Sequence, residues 1–477
     1  MKRIVFLTCL AALSLNVGPA RAEGERVFRA GAFAQNINPK KYPVSVNGSM
    51  SDQKATRASD PLHARCLVLD DGKTKLALCV IDACMCPREI TDEAKRLAQK
   101  ATGIPASHIL ISATHTHSAP TLAGVFQSET NEEYVKYLPT LIAQGIQKAT
   151  ENLEPAKIGW GSANNSKQVF NRRWHREQAQ IPLDPFGRTT NKVQMNPGYQ
   201  APGLVKPSGP VDPTVSILSV QSAKGRPIAV LANYSLHYVG GVAPLSADYF
   251  GAFAGRMKDL LEEKDSKPAF VGIMSNGTSG DINNIDFGGP APKNRVAGEQ
   301  VRVVAYDVAN TAMEAYKKIV HKDGITLDAK VQEIELGVRL PDEKDLTRAK
   351  DVLAKAKGRE LRSMEEVYAR ESVLLAKFPA KVKVALQAMR IGDLCVCAVP
   401  CEVFVEIGLE LRKKSPLKQT FTISLANGYN GYLPTPQQHK LGGYETWRAR
   451  SSYLEVDAAT KVSGTLGGLM KAVDKSR

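Results

Sequence analysis

Apolar positions along the chain fall into short runs separated by longer stretches of helical spacing. Residues 64–83 contain two apolar runs split by Asp70-Asp71-Gly72, a pattern that predicts a hairpin. Ile90 to Thr102 carries apolar residues at helical intervals, and Gly103-Ile104-Pro105 ends that helix. Ile109 to Ile111 reads as a buried strand, and residues 132–151 as a second helix. Residues 164–210 are polar and rich in Asn, Pro, Gly and Arg, which predicts a long loop of functional interest. Strands are expected at 214–238, around the turn Ala223-Lys224-Gly225, and helices at 249–263 and 297–316. Residues 342–376 read as a charged helical pair broken near Gly358, a solvated excursion from the core. Strands return at 380–400, a helix is expected from Glu402 to Lys413, and a strand from Phe421 to Ala426. Strands and helices that alternate throughout predict an α/β (α+β layered) fold, with a mixed β-sheet core flanked by helices. No stretch reads as a linker, so one large catalytic-size domain is expected over residues 23–477.

The start of the chain follows a different rule. Lys2 and Arg3 precede an apolar run from Ile4 to Val17, and Ala20-Arg21-Ala22 has the small-residue cleavage pattern. Residues 1–22 therefore read as a signal peptide, too short in its apolar part to span a bilayer. The protein is expected to be secreted or periplasmic. Three of its 63 basic residues lie in that stretch, which leaves a net charge of +12 on residues 23–477. Such a charge suits peripheral association with an anionic membrane or envelope surface. No nucleic-acid motif accompanies it, and nucleic acid is not expected as a partner. Seven cysteines remain, clustered in apolar runs such as LALCVIDACMC and LCVCAVPC. They read as small buried hydrophobes, with room for a disulfide or two in an oxidising compartment. The spacing in the Cys-x-Cys pairs disfavours a cysteine zinc site.

Several strand ends carry chemistry. ILISATHTHSAP, residues 109–120, places His115 and His117 just past an apolar strand. Two residues apart on an extended chain, they would point the same way. Paired imidazoles are costly to bury unless something satisfies them, and a metal would do so. His237 ends a second apolar strand in LANYSLHYVGG. IMSNGTSGDINNIDF, residues 273–287, runs from a strand into a Gly-rich turn that offers backbone N–H groups and Asp281. Glu402 follows Pro400 at a strand-to-helix junction, and LANGYNGYLPTPQQHKLGGYET sets tyrosines among glycines. Taken singly, each has an ordinary structural explanation: a lone histidine is usually hydrogen-bonded in the core, and a glutamate suits a helix N-terminus. Taken together, they put imidazole, carboxylate and phenol groups at strand ends, where α/β folds place their sites.

In order and spacing these segments resemble the neutral/alkaline ceramidase family, zinc amidases that hydrolyse the N-acyl bond of ceramide. Thr114-His115-Thr116-His117-Ser118-Ala119-Pro120 matches that family's THTHSGP, with Ala in place of Gly. Asn171-Arg172 matches its loop motif, and residues 231–241 its second histidine strand. Pro400-Cys401-Glu402 matches its P-G-E turn, and Asn427, Tyr429, Tyr432 and Tyr444-Glu445 its tyrosine motifs. The resemblance implies Zn2+ held by His115, His237, Glu402 and Tyr432, with His117, Arg172 and Tyr444 facing an amide-bearing lipid or small-molecule substrate. Gly280-Asp281-Ile282-Asn283-Asn284 falls where the family has G-D-V-S-P-N, so Asn283 replaces a serine implicated in catalysis. Asp281 and Asn283 join the candidate catalytic residues on this basis. The chain ends soon after Tyr444, so the immunoglobulin-like domain of longer family members is not expected. Two alternatives stay open: a barrel-type amidohydrolase, which also carries His-x-His at a strand end, and a non-catalytic envelope- or lipid-binding protein on the same fold.

Overall fold

Strands that are apolar on both sides need cover on both faces. The computed structural model describes residues 27–242, 244–262, 267–292, 296–356, 358 and 360–475, so the expected signal peptide lies outside the described residues. Its largest sheet contains β1 (Arg29–Asn36), β2 (His63–Asp70), β3 (Lys75–Ile81), β4 (Ile109–Ala113), β5 (Glu154–Asn164), β6 (Thr214–Ser222), β7 (Pro227–Tyr234) and β8 (Val271–Asn276). The spatial order is β8-β7-β6-β5-β1-β2-β3-β4. The outermost pairs, β7 with β8 and β3 with β4, are parallel, and the inner ones antiparallel. The predicted hairpin at 64–83 is β2–β3, with Cys66 opposite Cys79. The sheet is open at its edges and helices cover it, so the amidohydrolase-barrel alternative does not describe this chain. It is strongly curled all the same: at the end of edge strand β8, Asn276 donates to the Thr114 carbonyl just beyond the opposite edge strand β4. That curl brings the two histidine-bearing strand ends together.

The period of two along β2 and β3 divides their side chains between two cores. Leu67, Leu69, Leu76, Leu78 and Val80 face inward, onto a second sheet. Cys66, Val68, Cys79 and Ile81 face outward, onto helices α1 (Arg88–Thr102) and α2 (Glu132–Glu151). The second sheet runs β9 (Leu327–Gly337), β10 (Lys381–Ile391), β11 (Leu394–Ala398) and β12 (Gln419–Ile423), in that order. Met389, Ile391, Val396 and Phe421 meet the large sheet in one apolar layer. The layers are thus helix, sheet, sheet, helix, a mixed α/β architecture. Burial of a leucine such as Leu78 in this layer contributes about 2 kcal/mol from apolar area alone.

Three expectations need correction. Residues 164–210 are not a structureless loop: Arg173–Arg176 pairs with both Val193–Met195 and Leu204–Pro207 in a small sheet. These strands are too short and too exposed for alternation to show in the sequence. The helical pair, Glu343–Ala356 and Met364–Leu375, is not merely solvated. Tyr368 and Glu371 of the second helix are buried, and Glu371 forms an ion pair with Arg450 at 2.6 Å. Finally, all seven described cysteines are free and buried, and no disulfide forms among the described residues. Cys66 and Cys79 face each other with their sulfurs 3.4 Å apart.

Candidate active site

The His-x-His segment converges for a reason other than strand pleat. β4 ends at Ala113, and His115 adopts a left-handed backbone with φ of 75°. That conformation is strained for a side-chain-bearing residue and is held from both sides. Thr114 and His115 donate their N–H groups to the carbonyls of Ile81 and Ala83. The turn brings Nε2 of His117 to 3.3 Å from Nε2 of His115. His237 arrives from the end of β7, its Nε2 3.0 Å from the same His115 nitrogen. All three rings are anchored through Nδ1 on backbone carbonyls: His115 on Cys84 at 2.6 Å, His117 on Gly48 at 3.0 Å, and His237 on Ser279 at 3.1 Å. A carbonyl only accepts, so each Nδ1 carries the hydrogen and each ring turns its Nε2 inward. Tyr238 stacks flat on His117, centroids 3.7 Å apart at 14°.

Glu402 completes the cluster from the other half of the chain. It does not begin a helix as expected. Its N–H is taken by the Gly431 carbonyl, and Glu402–Val403 pairs in parallel with Tyr432–Leu433. The helix starts later, at Val405, whose N–H is accepted by the Asp281 carboxylate at 2.9 Å. Oε1 of Glu402 accepts from the Tyr429 hydroxyl at 3.1 Å. Oε2 lies 3.2 Å from Nε2 of His115, yet has no hydrogen-bond partner among the described residues. Tyr432 pairs beside it, its hydroxyl accepting from Arg172 at 3.1 Å.

These contacts test whether a metal fits. Three inward Nε2 atoms 3.0 to 3.3 Å apart, beside a buried carboxylate oxygen with no hydrogen-bond partner, call for a metal ion or a proton among them. Zinc–nitrogen bonds of 2.0–2.1 Å place tetrahedral ligands about 3.3 Å apart. His115, His237 and Glu402 form one group with the spacing of metal ligands, and Cys84, His115 and His117 a second. The first suits zinc: all three atoms are buried, and two imidazoles with one carboxylate are a common catalytic donor set. Burial alone would lower His115, but Glu402 and Cys84 outweigh it and push the ring up to about 10. Burial, with the charges of His115 and Arg172 beside them, holds His117 and His237 well below the usual histidine range.

Around this centre the structure distributes the other expected residues unevenly. Arg172 is buried, its Nη1 3.3 Å from Nε2 of His237 and its Nη2 on the Gly280 carbonyl at 2.8 Å. Glu445, fully buried, holds Arg172 at 3.0 Å and Arg173 at 2.6 Å. Tyr444 packs 5.8 Å from Tyr432, ring to ring, and against Phe126 and Trp447. Asp281 does not reach the cluster: its carboxyl caps the helix at Val405 and accepts from Asn171 at 2.8 Å. Burial raises it to about 7. Asn283 stands at the wall of a neighbouring cavity, donating to Asn196 at 3.0 Å. Sequence reasoning gave no site role to Gly48, Cys84, Tyr238 and Arg173, and took Glu445 only as part of a motif. The first two act through backbone carbonyls, which any residue carries, so no side-chain pattern announces them.

Comparison with known proteins adds an independent line. The family model described as neutral/alkaline non-lysosomal ceramidase, N-terminal, matches residues 44–301. Among solved structures, neutral ceramidase from Pseudomonas aeruginosa superposes with a TM-score of 0.69 at 16% identity, covering 94% of this chain and 75% of that one. A ceramidase complexed with C2 gives 0.68 at 16% identity, with the same coverage. At that identity the likeness speaks for the fold. No curated protein matches the chain.

Proposed function

The chain belongs to the neutral/alkaline non-lysosomal ceramidase family, and from that premise we propose that it is a zinc-dependent hydrolase cleaving an amide (N-acyl) bond. One observation carries the metal part of this reading: three imidazoles, each fixed through Nδ1 on a carbonyl, turn their Nε2 atoms toward one point beside the Glu402 carboxylate. His115, His237 and Glu402 would hold the ion, with the Tyr432 hydroxyl as a further oxygen at the same place. Zinc there supplies Lewis acidity and makes water nucleophilic near neutral pH.

The remaining steps fall to the chain's own side chains. Arg172 is a fixed cation, clamped by Glu445 and the Gly280 carbonyl, and its Nη1 faces His237 at the cluster. It is placed to stabilise negative charge on the amide oxygen as the carbonyl is attacked. His117, neutral at Nε2, accepts a proton from the attacking water and passes it to the leaving nitrogen. Tyr444 presents a hydroxyl in the same wall and is kept protonated by burial, so it serves as a hydrogen-bond donor. Asn283 lines the adjoining cavity and orients substrate; its amide cannot act as a serine nucleophile. Asp281 acts at one remove, fixing the loop that presents Arg172: the Arg172 N–H donates to its carbonyl.

The substrate class follows from the family: an amide-bearing lipid or a small amide. An exported location rests on residues 1–22, and the basic balance supports loose attachment to anionic envelope or membrane surfaces. The described residues include no helix long and apolar enough to cross a membrane. The test is hydrolysis of a panel of N-acyl amides, short-chain ceramide included, before and after chelation. Cleavage that stops with chelator and returns with added zinc is the expected result. Cleavage indifferent to chelator would remove the metal from the account, and a protein that binds amides without cleaving any would make it a binding protein.

A further inference from the structure

The cavity beside the metal cluster has a mixed lining rich in amide and phenol groups. It measures about 270 Å³ and begins at Arg172 and His237. Its walls hold Asn196, Asn283, Asn284, Gln300, Tyr199 and Tyr238. Four amides and two phenols share this small space with the apolar Val239, Ile285, Val296 and Ala297, a larger polar share than most ligand sites carry.

The internal bonds of this wall leave specific atoms unspent. Asn283 donates to Asn196 Oδ1 and accepts from the Ile285 N–H. Asn284 donates to Gln168 and accepts from Gln300. These bonds fix the amides in place and set which end of each faces a neighbour. They leave the Asn196 amide N–H groups, the Gln300 carbonyl and the Tyr199 and Tyr238 hydroxyls without a hydrogen-bond partner among the described residues. Donors and acceptors mixed in this way match a ligand that both donates and accepts, as hydroxyl groups do. They reject a methylene chain, which would strip water from these groups and return nothing. By contrast, the space at the cluster itself, lined by His115, His117, Glu402, Tyr432 and Tyr444 together with Met85, Val125 and Phe126, is only about 30 Å³. That is room for little beyond a single ion or water.

We infer that this cavity takes the amine half of the substrate and selects an amine bearing several hydroxyls, an amino-polyol or amino-sugar type, over a long alkyl base. The inference rests on the amide-hydrolase reading above. The amine half is assigned here because Tyr238, which stacks on His117, is part of the cavity wall. His117 is the group positioned to protonate the leaving nitrogen. The stacked Tyr238 is the structural link between the polar pocket and that histidine.

The experiment uses the full-length zinc-loaded protein and three substrates with one hexanoyl group: N-hexanoyl amino sugar, N-hexanoyl hexylamine and C6 ceramide. The amino sugar should be cleaved with a kcat/KM at least tenfold above either of the others. Gln300→Leu should shrink that preference at least fivefold, mainly through KM. Tyr199→Phe, which removes one oxygen and no volume, should shrink it by twofold to fivefold and guards against a misfolded leucine variant. Equal or faster cleavage of the hexylamine or ceramide substrate would overturn the assignment and leave the hydrolase intact. Calorimetry with the free amines tests the pocket even if no amide is cleaved. Millimolar binding of the amino sugar, weakened in Gln300→Leu, supports the assignment. Preferential binding of hexylamine, or of neither amine, overturns it.

Discussion

The two halves of the site are built by different means. The imidazoles come from the ends of the large sheet, within the segment matched by the family model, and lean on uncharged backbone carbonyls. Glu402, Tyr432 and Tyr444 come from beyond that segment, and they lean on charge: Arg172, Arg173 and Glu445 form a buried ionic network around them. Carbonyls fix a tautomer at no electrostatic cost to their surroundings. A buried ionic network is held only while every member is present, because losing one leaves an uncompensated charge. The nitrogen half should therefore fail in metal binding, and the oxygen half in folding.

Four substitutions separate these modes. The largest effect is expected from His237→Ala, which removes an inward nitrogen. Zinc affinity should fall at least a thousandfold in a chelator competition, with thermal unfolding of the metal-free protein little changed. Glu445→Ala should do the reverse first, leaving Arg172 and Arg173 buried and unpaired. A loss of about 3–5 kcal/mol in denaturant unfolding is expected. If Glu445→Ala kept full stability, the contrast between the halves would collapse. Gly48→Ala is a finer probe. Gly48 has φ of 103°, and an added Cβ would lie 2.4 Å from the His117 ring. The imidazole must then leave its carbonyl. A fall of about 10–100-fold in kcat is expected, the usual cost of losing an outer partner, with zinc content retained. The smallest effect belongs to Asn283→Ser, which should leave zinc in place and change kcat/KM by less than about tenfold, through substrate range.

The sequence disclosed these halves unequally as well. Apolar runs with turn residues between them predicted β2, β3, β6 and β7 and the main helices, because both faces of those strands are buried and the period is unbroken. His115, His237 and Glu402 stood out as polar groups at the ends of apolar strands, and the structure brings them together. Asp281 stood out equally well for a different reason: it caps a helix rather than facing the cluster. The convergence of His115 and His117 looked like strand geometry and is a left-handed turn, which pleat arguments cannot foresee for a histidine. The contacts of Tyr368, Glu371 and Arg450 were hidden because a charged helix reads as solvated until its partner is known. Tyr238 and Gly48 carried no signal at all, since their roles exist only across long separations in the chain.

The central claim is that the inward Nε2 atoms of His115 and His237 and the Glu402 carboxylate exist to hold one metal ion. Elemental analysis of the purified, dialysed protein tests it most directly. The account predicts close to one zinc per chain in the native protein. A native protein with no zinc, and none retained after incubation with the ion and dialysis, would contradict it.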